Sequence, residues 1–250
     1  MQLLQFTDTH LPGTPGMRIR DVATAGTLAR CVAHAKQRHA APDAILLTGD
    51  LVHDDARGYA EVRRHFGDAG VPVHCLPGNH DEATELREGL AGAPFVHELA
   101  RRHGRWLVVM LNSTVAGANH GHLAAEELAR LDEALTAHAG AHALVCLHHH
   151  PVPHGSRWLD ELMLDNAAEF FAVLARHPGV RGLAWGHTHQ PFEGMHGHIR
   201  LMGTPSTCMQ FAQDSDEFAV DARPPAYRWL ELGDDGSLET CIEWVHAHDE

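Results

Sequence analysis

The sequence predicts an α/β protein in which a mixed sheet, or two stacked sheets, is flanked by helices. Three observations lead there. Apolar runs of strand length recur along the chain, stretches with apolar residues at helical spacing lie between many of them, and after Gly186 the pattern changes to short strands joined by turns. Alternating strands and helices build βαβ units, whose parallel strands are covered on both faces and so read as continuous apolar runs.

In chain order the expected strands are 3–6, 44–48, 71–76, 106–111, 143–147 and 182–185. The first helix is expected over 21–39, where Val22, Leu28, Val32 and Ala35 recur at helical spacing and Asp21 precedes them as an N-cap. Leu128, Leu131 and Leu135 place a second helix over 124–139. Leu162, Phe170, Val173 and Leu174 place another over 161–177, stopped by Pro178-Gly179. Beyond it, 199–202, 226–232 and 238–245 read as short strands, with 233–236 as a turn and 212–225, acidic then proline-rich, as a loop. At 250 residues there is room for one large domain or two small ones. No repeat, low-complexity tract or linker divides the chain, so one domain is expected.

Composition narrows the partners. The net charge is −14, from 19 Lys+Arg against 33 Asp+Glu, and Lys36 is the only lysine. Such a surface is poorly suited to a nucleic acid polymer or an anionic membrane, since both are held through cation contacts. No apolar run approaches the ~20 residues of a spanning helix. The start, MQLLQFTDTH, lacks a basic and then apolar leader, so a cytoplasmic protein is expected. Five cysteines, Cys31, Cys75, Cys146, Cys208 and Cys241, are scattered without a Cys-x-x-Cys pair and read as reduced thiols. Histidine is abundant at 24 residues, but abundance is not a site. His34, His39, His65, His103, His138, His177, His246 and His248 fall in expected helices or tails and are read as solvated.

Five short motifs stand apart because each follows an expected strand. They are Asp8-Thr9-His10, Gly49-Asp50, Gly78-Asn79-His80-Asp81, His148-His149-His150-Pro151 and Gly186-His187-Thr188-His189. In an extended segment residues i and i+2 share a side, so Asp8 with His10, and His187 with His189, are expected to face one way. A carboxylate has two oxygens, so Asp50 can bridge two ions. Asn79 offers a neutral carbonyl oxygen to a hard divalent ion. Each motif alone also reads as an ordinary polar turn or helix cap. Together, at the C-terminal edge of a sheet, they supply ligands for two adjacent metal ions, a centre that most often serves phosphate-ester hydrolysis.

The set Asp-x-His, Gly-Asp, Gly-Asn-His-Asp, His, Gly-His-x-His over residues 8–189 resembles the calcineurin-like metallophosphoesterases. The text HHHPVPHGSRWLDELMLDNAAEF, the run to Gln190 and TPSTCMQF at 204–211 are similar to bacterial class III 3′,5′-cyclic AMP phosphodiesterases. The resemblance implies a four-layer α/β/β/α sandwich of two mixed sheets flanked by helices. It implies a single metallophosphoesterase domain over 1–250, with 190–250 supplying C-terminal strands and substrate-side loops. It places Asp8, His10, Asp50 and His189 on a first metal and Asp50, Asn79, His149 and His187 on a second. His149 is chosen by the His-x-Pro pattern, with His148 and His150 as alternatives. Two divalent ions, iron or manganese before zinc, are the implied cofactors. His80, Asp50 and Asn79 are the implied catalytic residues, and His10, Asp50, Asn79, His80, His149 and His189 would surround the substrate.

The implied reaction is direct hydrolysis of 3′,5′-cyclic AMP to 5′-AMP by a metal-bridging hydroxide. His80 contacts the phosphate, and His80 or water protonates the leaving 3′-oxygen. Other small diesters, such as a glycerophosphodiester or a 2′,3′-cyclic nucleotide, fit the same chemistry. A non-catalytic, metal-bound interaction module is the rival from another class. A homodimer is compatible with the sequence. Many relatives carry an acid three positions after the bridging aspartate, to orient the Gly-Asn-His histidine. Here that position is His53, and Asp54 is the candidate replacement. The loops 11–20, 152–159 and 204–211 are expected to select the substrate. Trp158 and Phe211 on them can stack on a base or simply pack, while His120 and His122 are read as loop residues.

Overall fold

The apolar runs become strands because both of their faces find apolar cover. A computed structural model of the chain describes residues 1–39 and 41–247; His248 lies outside the described residues. In chain order the elements are β1 (Gln2–Phe6), α1 (Thr24–Arg38), β2 (Ala44–Thr48), α2 (Tyr59–Phe66), β3 (Val73–Leu76), α3 (Ala83–Gly89), β4 (Phe95–Val96), β5 (Ala100–His103) and β6 (Trp106–Met110). There follow α4 (Ala125–Ala137), β7 (His142–Cys146), α5 (Arg157–Asp160), α6 (Ala167–Leu174), β8 (Val180–Trp185), β9 (Phe192–His196) and β10 (Ile199–Gly203). The last are β11 (Gln210–Phe211), β12 (Val220–Asp221), β13 (Ala226–Leu232) and β14 (Leu238–Trp244).

Two six-stranded sheets result, in the orders β14-β13-β1-β2-β3-β4 and β5-β6-β7-β8-β10-β9. In the first, β1 to β4 are parallel, and β13 returns antiparallel against β1. In the second, β6, β7, β8 and β10 are parallel, with β5 and β9 antiparallel at the edges. Alternate side chains serve different layers. Leu4, Phe6, Ile45 and Leu47 pack with Leu28 and Val32 of α1 and with Val62 and Phe66 of α2. Leu3 and Leu46 turn the other way, to meet Trp106, Val108 and Leu144 of the second sheet. Leu107, Val109 and Val145 pack with Leu131 and Leu135 of α4 and with Phe170 and Leu174 of α6. The layers therefore run helix, sheet, sheet, helix, as expected. Fully burying each such side chain stabilises the fold by about 1.5–3 kcal/mol. Among the described residues no helix is long and apolar enough to cross a membrane.

Several expectations are corrected. The first helix begins at Thr24, not Asp21, and has no side-chain N-cap. Arg20 and Asp21 adopt φ of +45° and +65° in a tight turn closed by paired Ile19 and Val22 backbone bonds, and this turn excludes them from the helix. The helix expected over 161–177 forms only as α6, Ala167–Leu174, with the short α5 ending before it at Asp160. Asn166 exchanges hydrogen bonds with the Leu123 backbone (2.8 and 3.0 Å), and Leu164 N–H donates to His150 O, so the intervening segment is tied to other loops. The loop expected over 212–225 contains β12, which pairs with β11. Three histidines read as solvated are also largely covered: the side chains of His39, His65 and His177 are 15%, 10% and 13% exposed, beside Glu243, Glu61 and Asp132. Four cysteines are buried and Cys241 is exposed, and all five are free thiols.

Candidate metal centre

All five motifs leave the C-terminal ends of parallel strands (β1, β2, β3, β7 and β8), so the topology brings them to one edge of the stacked sheets. The side chains do not arrive there by strand alternation. Asp8, His10, Asp50, His187 and His189 all have left-handed backbones, with φ of 53°, 43°, 50°, 65° and 48°. The expected extended geometry of Asp8-x-His10 and His187-x-His189 is thereby corrected. Positive φ in non-glycine residues costs on the order of 1–3 kcal/mol each and persists only where the surroundings enforce it. Here Asp8 N–H donates to Gly49 O (3.0 Å) and His10 N–H to Asp50 O (2.9 Å). The Asp8 carboxylate accepts His187 N–H at 3.0 and 3.1 Å. At Gly49, itself at φ +94°, and at Gly186, a Cβ would run into His148 and into Thr7 and Asp8 respectively.

The ligand-type atoms form two groups on either side of Asp50. On one side His10 Nε2 faces His189 Nε2 at 3.2 Å, His189 Nε2 lies 3.4 Å from Asp8 Oδ1, and His10 Nε2 lies 3.7 Å from Asp50 Oδ2. On the other, His148 Nε2 lies 3.3 Å from the same Asp50 oxygen and 3.3 Å from His187 Nδ1. Atoms on neighbouring vertices around an ion with bonds of about 2.0–2.2 Å stand roughly 3.0–3.6 Å apart, so both groups suit a cation. Asn79 Oδ1 is buried with no donor. An acceptor left in that state costs about 1–3 kcal/mol, and a cation would satisfy it. The donor set, carboxylate, amide oxygen and imidazole, suits divalent first-row metals.

Backbone carbonyls fix the rings. His148 Nδ1 lies 2.9 Å from Thr48 O and His189 Nδ1 lies 2.7 Å from Met209 O, which directs each Nε2 inward. Charge follows position. Burial works against an ionised Asp50, but the His148 ring, and behind it His10, hold its carboxyl well below the usual carboxylate range. Burial likewise opposes a charged His148, yet Asp50 pushes it up to about 9. Burial depresses His10, His149 and His187, leaving them neutral with lone pairs available.

The His-x-Pro pattern selects His149, but the ring that reaches Asp50 is that of His148. The His149 ring is held by Ser113, Nδ1 to Oγ 2.8 Å, and is not among the residues that wall the cleft, but its Nε2 is buried without a partner in a group with His148 and His187. His150 turns to Asp160, 3.6 Å away. His80 lines the cleft; its Nδ1 pairs with Asp54 Oδ1 at 3.0 Å, and its N–H donates to Asp50 Oδ1 at 2.9 Å. His53, in the position where an acid is usual, stacks on His80 and reaches His10, Nδ1 to Nδ1 3.1 Å.

Asp81 has a role that the motif alone does not show. Its carboxylate accepts the N–H groups of Leu51, Val52 and Gly78 and the Tyr59 hydroxyl, at 2.9–3.3 Å. It therefore clamps the Asp50 and Asn79 loops together. Cys208 is a second surprise, since its thiol lies within 4.8 Å of ring nitrogens of His10 and His189. The signal for it was its place in TPSTCMQF, beside the site in sequence pattern but distant in the chain.

The cleft, of about 240 Å³, is walled by His10, Asp50, Asn79, His80, His187 and His189 at one end. Its other walls come from the expected loops, through Ile19 and Arg20, Trp158 and Leu159, Met209 and Phe211, joined by Leu162, Asn119 and Phe218, which sequence reasoning did not single out. His120 and His122 are exposed by 43% and 44% and face Asp165 instead.

The sequence model of the calcineurin-like phosphoesterases matches residues 1–191. A protein of Pseudomonas aeruginosa named 3′,5′-cyclic adenosine monophosphate phosphodiesterase CpdA is 38% identical over 244 residues, covering 97% of this chain and 89% of its own. The protein of the same name in Vibrio vulnificus is 36% identical over 248 residues, covering 97% and 89%. Among solved structures, a dimetal phosphatase from Danio rerio superposes with a TM-score of 0.68 at 14% identity, over 98% of this chain and 99% of that one; this likeness is one of fold.

Proposed function

We propose that this chain, which belongs to the calcineurin-like phosphoesterase family, hydrolyses 3′,5′-cyclic AMP to 5′-AMP at a centre of two divalent metal ions. The observation that carries the reading is Asp50, whose Oδ2 faces His10 on one side and His148 on the other. The names of the Pseudomonas and Vibrio relatives, similar along nearly the whole chain, support cyclic AMP as the substrate.

In this reading Asp8, His10, Asp50 and His189 hold one ion, and Asp50, Asn79, His148 and His187 hold the other. His148 replaces His149 because of its contact with Asp50. The ions, iron or manganese, would supply Lewis acidity and a water ionised near neutral pH. The protein's own groups do the rest. His80 stands at the cleft with Nδ1 held by Asp54. In its imidazolium form Nε2–H is free to bond a phosphoryl oxygen and to protonate the departing 3′-oxygen. Asp81 keeps the Asp50 and Asn79 loops in register. No serine or cysteine nucleophile enters. A cytoplasmic location accords with a cyclic nucleotide substrate.

The test is turnover by Asp50→Ala. Loss of about a thousandfold or more in kcat/KM, together with loss of bound manganese, is the expected result. Full cyclic AMP hydrolysis by that variant would sink the scheme.

A further inference from the structure

The cleft has two chemically different ends. The metal end is built of imidazole, carboxylate and amide groups. One ring away, the wall becomes aromatic. Phe211 stacks flat on His189, with centroids 4.0 Å apart and planes 11° apart. Trp158 and Phe218 meet it edge to face, at 5.4 and 5.2 Å, and meet each other at 5.4 Å. The Arg20 guanidinium sits 4.4 Å over the Phe218 ring and belongs to the one arginine or lysine among the described lining residues. Ion binding does not need such a wall. Phe218 is 41% exposed, one of four large apolar side chains so exposed among the described residues. Singly exposed apolar residues are ordinary on open surface, but aromatic side chains grouped on the wall of a concave cleft suit contact with a ligand.

The wall is also fixed in place. The strand pair β11 and β12 brings Phe211 and Phe218 to the cleft, and its loop is tied to the Trp158 segment. Gln190 Nε2 links the two by donating to Ala212 O at 2.9 Å and to Ser156 Oγ at 3.3 Å, Ser215 N–H donates to Ser156 Oγ at 3.4 Å, and Arg157 pairs with Asp216 at 3.4 Å. A preformed wall of rings loses little freedom when a planar group lies against it.

We propose that Trp158, Phe211, Phe218 and Arg20 form a nucleobase subsite, which selects diesters carrying a planar heteroaromatic ring over compact aliphatic diesters. It rests on reading the metal end as the phosphate end. Base stacking on aromatic side chains is tolerant of base identity, and a guanidinium can stack on the same ring system. A glycerophosphodiester would leave this wall exposed to water and gain nothing from it.

Equilibrium binding of 5′-AMP and of ribose 5-phosphate to the manganese-loaded protein, by isothermal titration calorimetry, tests this without turnover. The expected result is binding of 5′-AMP at least about tenfold tighter, with the gap shrinking to about threefold or less in Phe218→Leu and in Arg20→Ala. Both positions are exposed, and a thermal melt confirms that each variant is folded. Equal affinities in the wild type, or an undiminished gap in both variants, would overturn the subsite. Cyclic AMP turnover by the same wild-type sample is read separately. A binding gap without turnover keeps the subsite and sinks the proposed hydrolysis; turnover without a gap sinks the subsite alone.

Discussion

Asn79 and Asp50 show what is legible at the scale of single residues. Both stand next to glycines at strand ends, and their capacity to offer a ligand oxygen follows from residue type alone. The choice within His148-His149-His150 does not. Three identical rings leave β7 in succession, and which of them meets Asp50 depends on the turn that follows, so one step along the chain separates His-x-Pro from the observed contact. The roles separate experimentally. His148→Ala is expected to lower metal content from two ions towards one per chain and to reduce turnover by about a hundredfold or more, whereas His149→Ala keeps both ions. Metal analysis of the two purified variants checks this. Equal metal loss in both would return the ligand role to the pair. Asp81 was illegible for another reason: three of its four partners are backbone N–H groups, two of them in the loop after a different strand.

At the scale of elements, the strands were readable because they are long apolar runs, but their alternation was not. Leu3 and Leu4 look alike in sequence, yet they serve different cores. Helix boundaries failed where long-range bonds overrode local pattern, as at Asn166. The short helices α2 and α3 went unexpected, since seven or eight residues carry little periodic signal. The strand-end loops carry the strain and the close approaches. Gly186→Ala would press a Cβ into Thr7 and Asp8. That variant is expected to lose about 1–3 kcal/mol of stability and to bind metal more weakly. A denaturant melt and a metal titration check it; wild-type values in both would show that the loop shifts freely.

At the scale of the whole molecule, stability is expected to depend on pH through buried histidines outside the two ligand-type groups. His74, between the sheets and 2.9 Å from His103 Nε2, is held down to about 3 by burial and then by His103. His154 is held down to about 3 by burial and then by His150. Unfolded, both would titrate near 6.5. Between about 6.5 and about 3 the unfolded chain therefore binds more protons, and stability falls as pH falls through that window. Asp81 works in the opposite sense: burial, then Asp50, raises it from 3.8 to about 6, so over that narrower range the folded chain holds the extra proton. The two histidines act across the whole window and Asp81 across only part of it, so between these three groups the balance is a loss. The urea midpoint is expected to be lower at pH 5 than at pH 7.5, and His74→Gln to weaken that dependence. A midpoint independent of pH would contradict it. The order of strands in each sheet joins segments far apart in the chain, and no local pattern encodes it.

Two ions astride Asp50 are most directly tested by returning Mn²⁺ stepwise to chelated protein, with cyclic AMP hydrolysis and bound metal followed together. Negligible turnover without metal, and activity that saturates as bound manganese reaches two ions per chain, is the expected result. Undiminished hydrolysis by metal-free protein, or saturation with one ion bound, would contradict a dinuclear centre.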